Sequence, residues 1–555
     1  MKSFVIILAT AFLSTHVFAQ TLDANQKVRL KQEIDYIGSL YGSVYAPKAW
    51  KESHLGWNLP AEIATAQTKL AMAQNMHEAR AAVAGLIKST KDYHVSFSFY
   101  STEKATLPFQ VKTVEGKTLI VYIDRDKLSE TAFPFEVGDE VLTLEQTPVA
   151  QVLKELIQDG GPNIPETDLA VADLMLTRRG ARSNLIVPHG PVTLSIKRAA
   201  DDTVGSISLA WEYTPEQLVP AQFQPFALKQ QQQPLVTSPM FGPVYSELAS
   251  ETAANPYGLG GKKSFLPDFG TRIWQTADDN EFDAYIYLNN DGKLIGVVRI
   301  PGYIVADYDK AVKDFAGIIA HLEKNTSALV IDQNNNPGGS VFYLYALSSM
   351  LSDQPLTVPR HRIALSPGGA KECLDMIEQM KSIKTDADAV EKMKDLSGLP
   401  ATYQLAIGMQ NHCREFLSEF HQGVNLSSPL YLWGVDKVNP NPTHYTKPIV
   451  FLVNQLDFSG GDFMPATLQD NKRVTVVGTR TAGAGGFVLQ SNFPNSFGLE
   501  MVTFTGSIAE RVDKNPIENL GVTPDVSLPI TVDDIRSGYK SYISQVQAVL
   551  KSVIK

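Results

Sequence analysis

Cysteine is scarce in this chain of 555 residues, which contains only Cys373 and Cys413. A small fold framed by several disulfides is therefore excluded. Positive charge is also in deficit, because 49 Lys and Arg face 59 Asp and Glu and the formal net charge is −10. This balance argues against nucleic acid or an anionic membrane as the main partner. The sequence also lacks metal-ligand spacings such as HExxH, so we expect neither a metal nor another cofactor.

No stretch after the first 20 residues is apolar for long enough to span a membrane. At the N-terminus, Lys2 precedes a short apolar run over residues 4–13, and the segment that follows this run ends in the small residue Ala19. This order is typical of a secretory signal peptide, whereas a buried N-terminal helix is the alternative interpretation. We therefore expect residues 1–19 to be removed and the protein to be exported, into a periplasm or out of the cell.

The rest of the composition is that of a globular protein, with 44% hydrophobic and 19% charged residues in a chain long enough for two to four domains. Residues 20–104 show helical periodicity and end in a strand that begins directly after His94. Strand–helix–strand patterns occupy residues 284–555, interrupted by a helical insertion at about 367–425 and followed by a predicted closing helix over about 533–555. The alternation of strands and helices predicts a multidomain α/β fold.

Between these regions lie two segments of different character. Short strand-like runs dominate residues 105–213, and the FEVGDEVL sequence at 135–142 resembles the GD-x-(I/V)-L signature of PDZ domains. We therefore predict an inserted PDZ-like β domain there. Residues 214–283 are rich in Gln, Pro and Gly and have no sustained periodicity. A loop of this length inside a compact protein is usually functional or disordered.

Ser459 is the first residue of chemical interest, because it lies between a predicted buried strand at 449–453 and a predicted helix at about 461–469. A serine at such a turn is held rigidly, and the helix N-terminus offers backbone N–H groups to a developing oxyanion. The alternative is a capping box, since Ser459 to Asp462 also fits S-x-x-[DE], and taken alone the motif favours the cap. The G-x-S-x-G motif is absent, so an α/β-hydrolase fold is unsupported.

Two further segments carry residues that a serine nucleophile needs. Gly338 and Gly339 follow a predicted strand and permit a backbone that aims N–H groups into a cavity. The alternative there is a simple tight turn. His94 is the residue type that most often accepts a serine proton near neutral pH. An isolated histidine at the start of a strand, however, is more often only structural.

Five sequences occur together in one order: VRIPGYIV, ALVIDQNNNPGGS, KPIVFLVNQLDFSGGDF, VVGTRTAGAGG and IENLGVTPDV. Together they resemble the core of the S41 peptidases, the tail-specific and tricorn-core proteases. The similarity covers about residues 290–360 and 447–530, with a PDZ-like region upstream as in many members. The resemblance implies a mixed β-sheet and helix protease core and a serine peptidase that acts on protein or peptide substrates.

The resemblance also separates two catalytic subtypes. Processing proteases of the family use a lysine within G-x-x-T-x-G-K-G, but the corresponding position here is Ala484 and the nearest lysines, Lys472 and Lys514, lie outside the motif. Tricorn-like members instead use an upstream histidine and a glutamate, which match His94 and Glu518. This match implies a triad of Ser459 as nucleophile, His94 as base and Glu518 as the orienting acid.

The same comparison implies an oxyanion hole and leaves the third triad position open. The backbone N–H of Gly460 and that of Gly338 or Gly339 are the expected oxyanion donors. Glu518 is supported only by the family motif. Three aspartates therefore remain rival candidates for the third member of the triad: Asp92, Asp457 and Asp462.

GTRTAGAGGFV, the FPN that follows and IENLGV resemble in particular the branch of the chlamydial protease-like activity factor. This resemblance implies a homodimer that matures by excision of an internal inhibitory segment, and residues 214–283 are the candidate by position and composition. The competing hypothesis is a catalytically inactive S41-fold protein that binds peptides or another ligand, for example by strand addition at the PDZ-like region. The presence of serine, histidine and glutamate together argues against a pure binding protein.

Overall fold

The computed structural model describes residues 21–217, 248, 255–394 and 396–554. The predicted signal peptide and most of the Gln-rich segment lie outside the described residues. Four helices come first, and buried residues of the first, third and fourth form one cluster with a strand that follows. Their bounds are α1 Ala24–Ser43, α2 Lys48–Leu55, α3 Leu59–Met72, α4 Met76–Lys88 and β1 Phe97–Phe99. The strand predicted to begin directly after His94 therefore begins later, at Phe97, and all of its residues are buried.

The PDZ-like region is built on a β-sheet in which β3, β4, β5, β8 and β9 are neighbours in that order and β6 pairs with β5. The side chain of Asp139, in the GD signature, accepts the N–H groups of Glu136 (2.9 Å) and Ala199 (2.8 Å) and so fixes the turn before β5. Two helices that the sequence reading missed cover this region, α5 and α6. The elements in chain order are β2 Lys104–Thr106, β3 Phe109–Val114, β4 Lys117–Ile123, β5 Glu140–Leu144, β6 Thr147–Pro148, α5 Val149–Gly160, α6 Pro165–Leu176, β7 Arg178–Gly180, β8 Pro191–Lys197, β9 Val204–Ala210 and β10 Glu212–Thr214.

A seven-stranded mixed sheet organises the C-terminal half, in the order β11-β12-β13-β14-β19-β20-β24. Its last three strands are β19 Ile449–Val453, β20 Thr475–Gly478 and β24 Val526–Ser527. The first three strands run antiparallel to one another, and those from β13 onward are parallel. Its first elements are β11 Arg272–Gln275, β12 Ala284–Leu288, β13 Leu294–Arg299, α7 Tyr308–Asn325, β14 Ala328–Asp332 and α8 Val341–Ser348. Helices cover both faces, so the central strands are buried on both sides and read as continuous apolar runs.

The chain leaves this sheet after α8 and returns to it at β19. The excursion contains β15 Leu356–Thr357, β16 Arg360–Ile363, α9 Pro367–Met380, α10 Asp386–Lys392, α11 Tyr403–His421, β17 Leu430–Tyr431 and β18 Lys437–Val438. Cys373 and Cys413 lie on α9 and α11, and both are free, buried thiols. Cys413 Sγ contacts Met376 Sδ at 3.5 Å. The two cysteines therefore belong to the packing of this helical excursion.

The returning chain completes the sheet and ends in two helices. The elements are β19 Ile449–Val453, α12 Gly460–Asp470, β20 Thr475–Gly478, β21 Val488–Ser491, β22 Leu499–Thr505, β23 Ser507–Glu510, β24 Val526–Ser527, α13 Val532–Ser537 and α14 Lys540–Val553. A single closing helix was expected over about 533–555, but Gly538 adopts φ 68° and separates α13 from α14. Within the described ranges, no helix is both long and apolar enough to cross a membrane.

Part of the segment predicted to be removable belongs to the core. Phe265, Leu266 and Phe269 are buried in one cluster with residues of the central sheet and α14. Residues 272–275 also form the first strand of that sheet. Residues 255–283 are thus ordered and packed, which limits any removable part of 214–283 to its N-terminal portion.

Candidate active site

The candidate site forms where β14 and β19 end. These neighbouring parallel strands place Asp332 opposite Leu452, so the loops that follow them leave the same edge of the sheet. Two hydrogen bonds join the loops: Phe458 N–H donates to Asn336 O (2.9 Å), and Asn336 N–H donates to Asp457 Oδ1 (2.9 Å). The glycine turn and the serine turn found in the sequence are therefore adjacent.

Ser459 occupies the turn between β19 and α12 with φ 54° and ψ −113°. A non-glycine residue rarely adopts such a backbone conformation, which costs about 1–3 kcal/mol and is found mostly at functional sites. Its buried Oγ has no hydrogen-bond partner within the described part of the chain. The capping-box alternative is not realised, because Ser459 forms no side-chain cap bond. The hydroxyl is thus held in a strained turn without a structural partner.

Three glycines surround this serine. A Cβ on Gly338 would lie 2.7 Å from Ser459 Cβ and 2.7 Å from Gly460 N, and a Cβ on Gly460 would lie 3.2 Å from Gly339 N. The three glycines and Ser459 therefore meet as the sequence predicts. The Gly338 N–H, however, already donates to Asn336 Oδ1 (2.8 Å). Gly339 is consequently the better second donor for an oxyanion.

His94 is buried in the loop between α4 and β1. Its backbone N–H donates to Asp92 Oδ1 (2.8 Å), and its carbonyl oxygen accepts a hydrogen bond from Thr503 Oγ1 (2.8 Å). Burial lowers the pKa of the imidazole to about 4, with Asp92 opposing this shift and Lys51 adding to it. The ring is therefore neutral at neutral pH, which is the form that can accept a proton.

Glu518 is fully buried in the loop after β23. Its Oε1 accepts a short hydrogen bond from Lys51 Nζ, and its Oε2 accepts the N–H of Gly485 (3.0 Å). Burial raises the pKa of this carboxyl to about 8, with Asp92 adding to the rise and with Lys51 and the Gly485 N–H opposing it. The carboxyl thus lies in a buried cluster of titratable groups with Lys51, Asp92 and His94.

The histidine and serine segments are in contact through their neighbours. The ring of Tyr93 packs edge-on against that of Phe458, with centroids 5.4 Å apart. Both imidazole nitrogens of His94 are nevertheless without a hydrogen-bond partner among the residues that the structure describes. The structure thus brings the segments of the predicted triad into one region without hydrogen bonds among Ser459, His94 and Glu518.

The three rival aspartates all have other partners. Asp92 Oδ2 accepts hydrogen bonds from Tyr45 (2.9 Å) and Thr505 (2.8 Å). Asp462 accepts the N–H groups of Gly483 (2.8 Å) and Ala484 (3.0 Å), so it fixes the loop that follows β20. Asp457 instead ties the serine turn to the glycine turn, and burial raises its pKa well above the usual range.

Two residues of the cluster were missed by sequence reasoning, Lys51 and Asn519. Lys51 lies on α2, whose sequence KAWKESHL offers no signal that this lysine rather than Lys48 is buried. Asn519 follows Glu518 directly and adopts φ 62°. Only the family motif IENLGV indicated that its segment was functional.

The residues that would support other chemistries lie elsewhere. Ala484 is buried where a Ser–Lys enzyme would carry its lysine, and Lys472 and Lys514 are exposed. Over the described residues, no group of three or more His, Cys, Asp or Glu side chains could hold a metal ion.

Residues 294–528 match the sequence model of peptidase family S41, and residues 103–218 match the model of the PDZ domain. A protein of Chlamydia muridarum is 35% identical over 94% of this chain and 92% of its own length. The structure of mature CPAF, the chlamydial protease-like activity factor, complexed with lactacystin is 33% identical, with a TM-score of 0.83 over 96% of this chain and 99% of that chain. A crystal structure of a CPAF mutant superposes with a TM-score of 0.85 at 33% identity over 96% of this chain and 98% of that chain. These relatives confirm the predicted family and its α/β fold.

Proposed function

Because the chain belongs to peptidase family S41 and is a serine peptidase, we propose that it is an exported, homodimeric endopeptidase that acts through Ser459, His94 and Glu518. Ser459 Oγ attacks the scissile carbonyl, and His94 accepts its proton and later passes it to the leaving amine. Glu518 stabilises the imidazolium that forms in between. The observation that carries this proposal is the strained, buried and unpartnered hydroxyl of Ser459 beside the tandem glycines.

The oxyanion of the tetrahedral intermediate binds to the N–H groups of Gly460 and Gly339. Gly460 is the first residue of α12, so its N–H has no partner within the helix and the helix dipole favours negative charge there. Loss of one such donor typically lowers kcat by about 10²–10³-fold.

Labelling of the matured protein with a fluorophosphonate probe tests the nucleophile. The probe reacts with an activated serine hydroxyl, so we expect stoichiometric labelling on the peptide that contains Ser459, identified by mass spectrometry. Ser459→Ala should abolish the label. Unchanged labelling of Ser459→Ala would refute the assignment and leave the ligand-binding alternative in its place.

We further propose that the full-length chain is a precursor that cuts itself within the predicted inhibitory segment. Leu248 is buried in the same cluster as Leu456, Phe458, Ala482 and Ala484, which lie next to the nucleophile and its supporting loop. Tyr257 O accepts a hydrogen bond from Asn335 Nδ2 (3.1 Å), and Gly260 N–H donates to Asn335 O (2.9 Å). Leu248 thus packs beside the nucleophile, as expected of a segment that restrains the site, and Tyr257 and Gly260 attach the chain that follows to the glycine turn.

The lack of hydrogen bonds from the His94 ring in the described part of the full-length chain fits the same proposal. We expect purified wild-type protein to accumulate internal cuts after residue 214 and before residue 255, because residues 255–283 are packed in the core. Ser459→Ala should stay intact under the same conditions. N-terminal sequencing of the fragments identifies the cut sites. Equal cutting of the wild-type protein and Ser459→Ala would contradict self-cleavage.

A further inference from the structure

Lys51 is a buried cation that the triad does not require. Its side chain is 0% exposed, which is rare for a lysine unless it is paired. The ammonium group has three donors and uses them on three acceptors: Glu518 Oε1, Asn519 Oδ1 (2.7 Å) and the carbonyl oxygen of Lys91 (2.7 Å). Its hydrogen-bonding capacity is therefore fully used.

These bonds join the two chain segments that carry the proposed base and acid. Lys91 precedes His94 by three residues and adopts φ 48°, and its carbonyl also accepts Asn519 Nδ2 (2.9 Å). Trp50, the neighbour of Lys51 on α2, donates its indole N–H to Asn519 Oδ1 (3.1 Å). Helix α2 thus fixes the histidine loop relative to the Glu518 loop through Lys51 and Asn519.

The ammonium group is also the cation that balances this buried cluster. Asp92 and Glu518 are both buried and interact electrostatically. The other titratable groups that face them are His94, Tyr41 on α1 and Tyr45 on the loop before α2. Burial raises the pKa of both tyrosines well above the usual value, so they stay neutral. Without Lys51, the carboxyl groups of Asp92 and Glu518 would share one desolvated site, and one of them would take up a proton.

We propose that Lys51 is a positioning residue of this peptidase, which holds the Glu518 carboxyl between the catalytic loops and stabilises its charged form relative to the protonated one. This inference rests on the proposed triad. The positive charge favours the ionised form of Glu518 and disfavours the protonated form of His94, so it lowers both pKa values. Activity requires that Glu518 is charged and His94 is neutral. Removal of Lys51 therefore moves both groups out of their working states at a given pH.

The test is the pH dependence of kcat/KM for a peptide substrate with matured wild-type enzyme, Lys51→Met and Lys51→Arg. Both pKa values rise without the cation, so the acid limb of Lys51→Met should move upward by about 1–3 pH units. At a pH below the wild-type limb, kcat/KM of the variant is lower than that of the wild type by about tenfold for each unit of that shift. Lys51→Arg keeps the charge and should keep the limb near its wild-type position. The midpoint of a limb does not depend on the folded fraction, so partial misfolding does not imitate the effect.

Lys48→Met is the matched control, because Lys48 lies on the same helix and pairs with Glu52 at the surface, with about 36% of its side chain exposed. It should leave the profile unchanged. An unshifted limb in Lys51→Met, or an equal shift in Lys51→Arg, overturns the proposal. Should Lys51→Met yield no folded protein, Lys51→Gln is measured in its place. If neither uncharged variant folds, Lys51 is needed only for folding, and the proposal is overturned as well. Loss of activity in Ser459→Ala, checked alongside, separates these outcomes from a failure of the triad itself.

Discussion

Ser459→Ala should lower kcat of the matured enzyme on the order of 10⁴–10⁶-fold, because no other hydroxyl can take the place of the nucleophile. His94→Ala should cause a loss of similar size. The double variant should lose little more than either single one, since residues that act as one unit are strongly non-additive. Steady-state hydrolysis of a fluorogenic peptide measures all three. Each variant is first processed by an added and removable protease, so that failed self-maturation does not contribute to the loss.

Thermal unfolding distinguishes the nucleophile from the helix cap. Ser459 makes no cap bond, so Ser459→Ala should leave the melting temperature unchanged or raise it slightly, as a buried unpaired hydroxyl is removed. Ser366 is the matched control, since its side chain caps α9 by accepting the N–H of Gly369 (3.1 Å). Ser366→Ala should lower the free energy of unfolding by about 1 kcal/mol and leave kcat intact. The reverse pattern would restore the capping interpretation of Ser459.

Glu518→Gln should lower kcat by about 10⁴-fold with little change in KM, because the amide keeps the shape of the side chain but cannot stabilise the imidazolium. The buried Lys51 would then face a neutral partner, so the variant is also expected to unfold at a lower temperature. Stopped-flow or steady-state kinetics at a temperature well below the unfolding transition isolates the catalytic loss.

Asp92→Asn is the comparison for that result, because Asp92 is the remaining acid beside His94. Its carboxylate is engaged by Tyr45 and Thr505, so we expect a smaller loss of kcat than in Glu518→Gln. A loss of about 10⁴-fold in Asp92→Asn together with nearly normal activity in Glu518→Gln would transfer the third position of the triad to Asp92.

The sequence predicted those helices and strands whose pattern is local. The buried strand Ile449–Val453 and the helix that follows it were predicted almost to the residue, because both faces of the strand are covered and it reads as one apolar run. Helix α5 was missed although Val149, Val152, Leu153 and Leu156 form a helical stripe, since the surrounding short strands dominated the reading of that region. The break between α13 and α14 depends on a single glycine at positive φ, which a helical pattern of this length easily hides.

The candidate site was harder to predict from the sequence than the fold. Ser459, Gly338 and Gly339 stand directly after buried strands, so their positions at one sheet edge follow from topology alone. The partners of each acid could not be predicted, because they come from segments hundreds of residues apart. Lys51 and Glu518, which form a buried ion pair, are separated by 467 positions.

The scarcity of cysteine and the absence of metal spacing already pointed away from thiol and metal chemistry and toward a serine nucleophile. By itself the sequence determined the family, the α/β class, the order of the family motifs and the presence of Ala484 at the motif position that holds a lysine in Ser–Lys members. Each of these can be read from residues that are close together in the chain. Only the tertiary structure decided that Ser459 is strained rather than capping its helix, and that Lys51 is buried beside Glu518. Both features depend on which surfaces exclude water and which charged groups come into contact there. These contacts form only when segments that are distant in the sequence pack together.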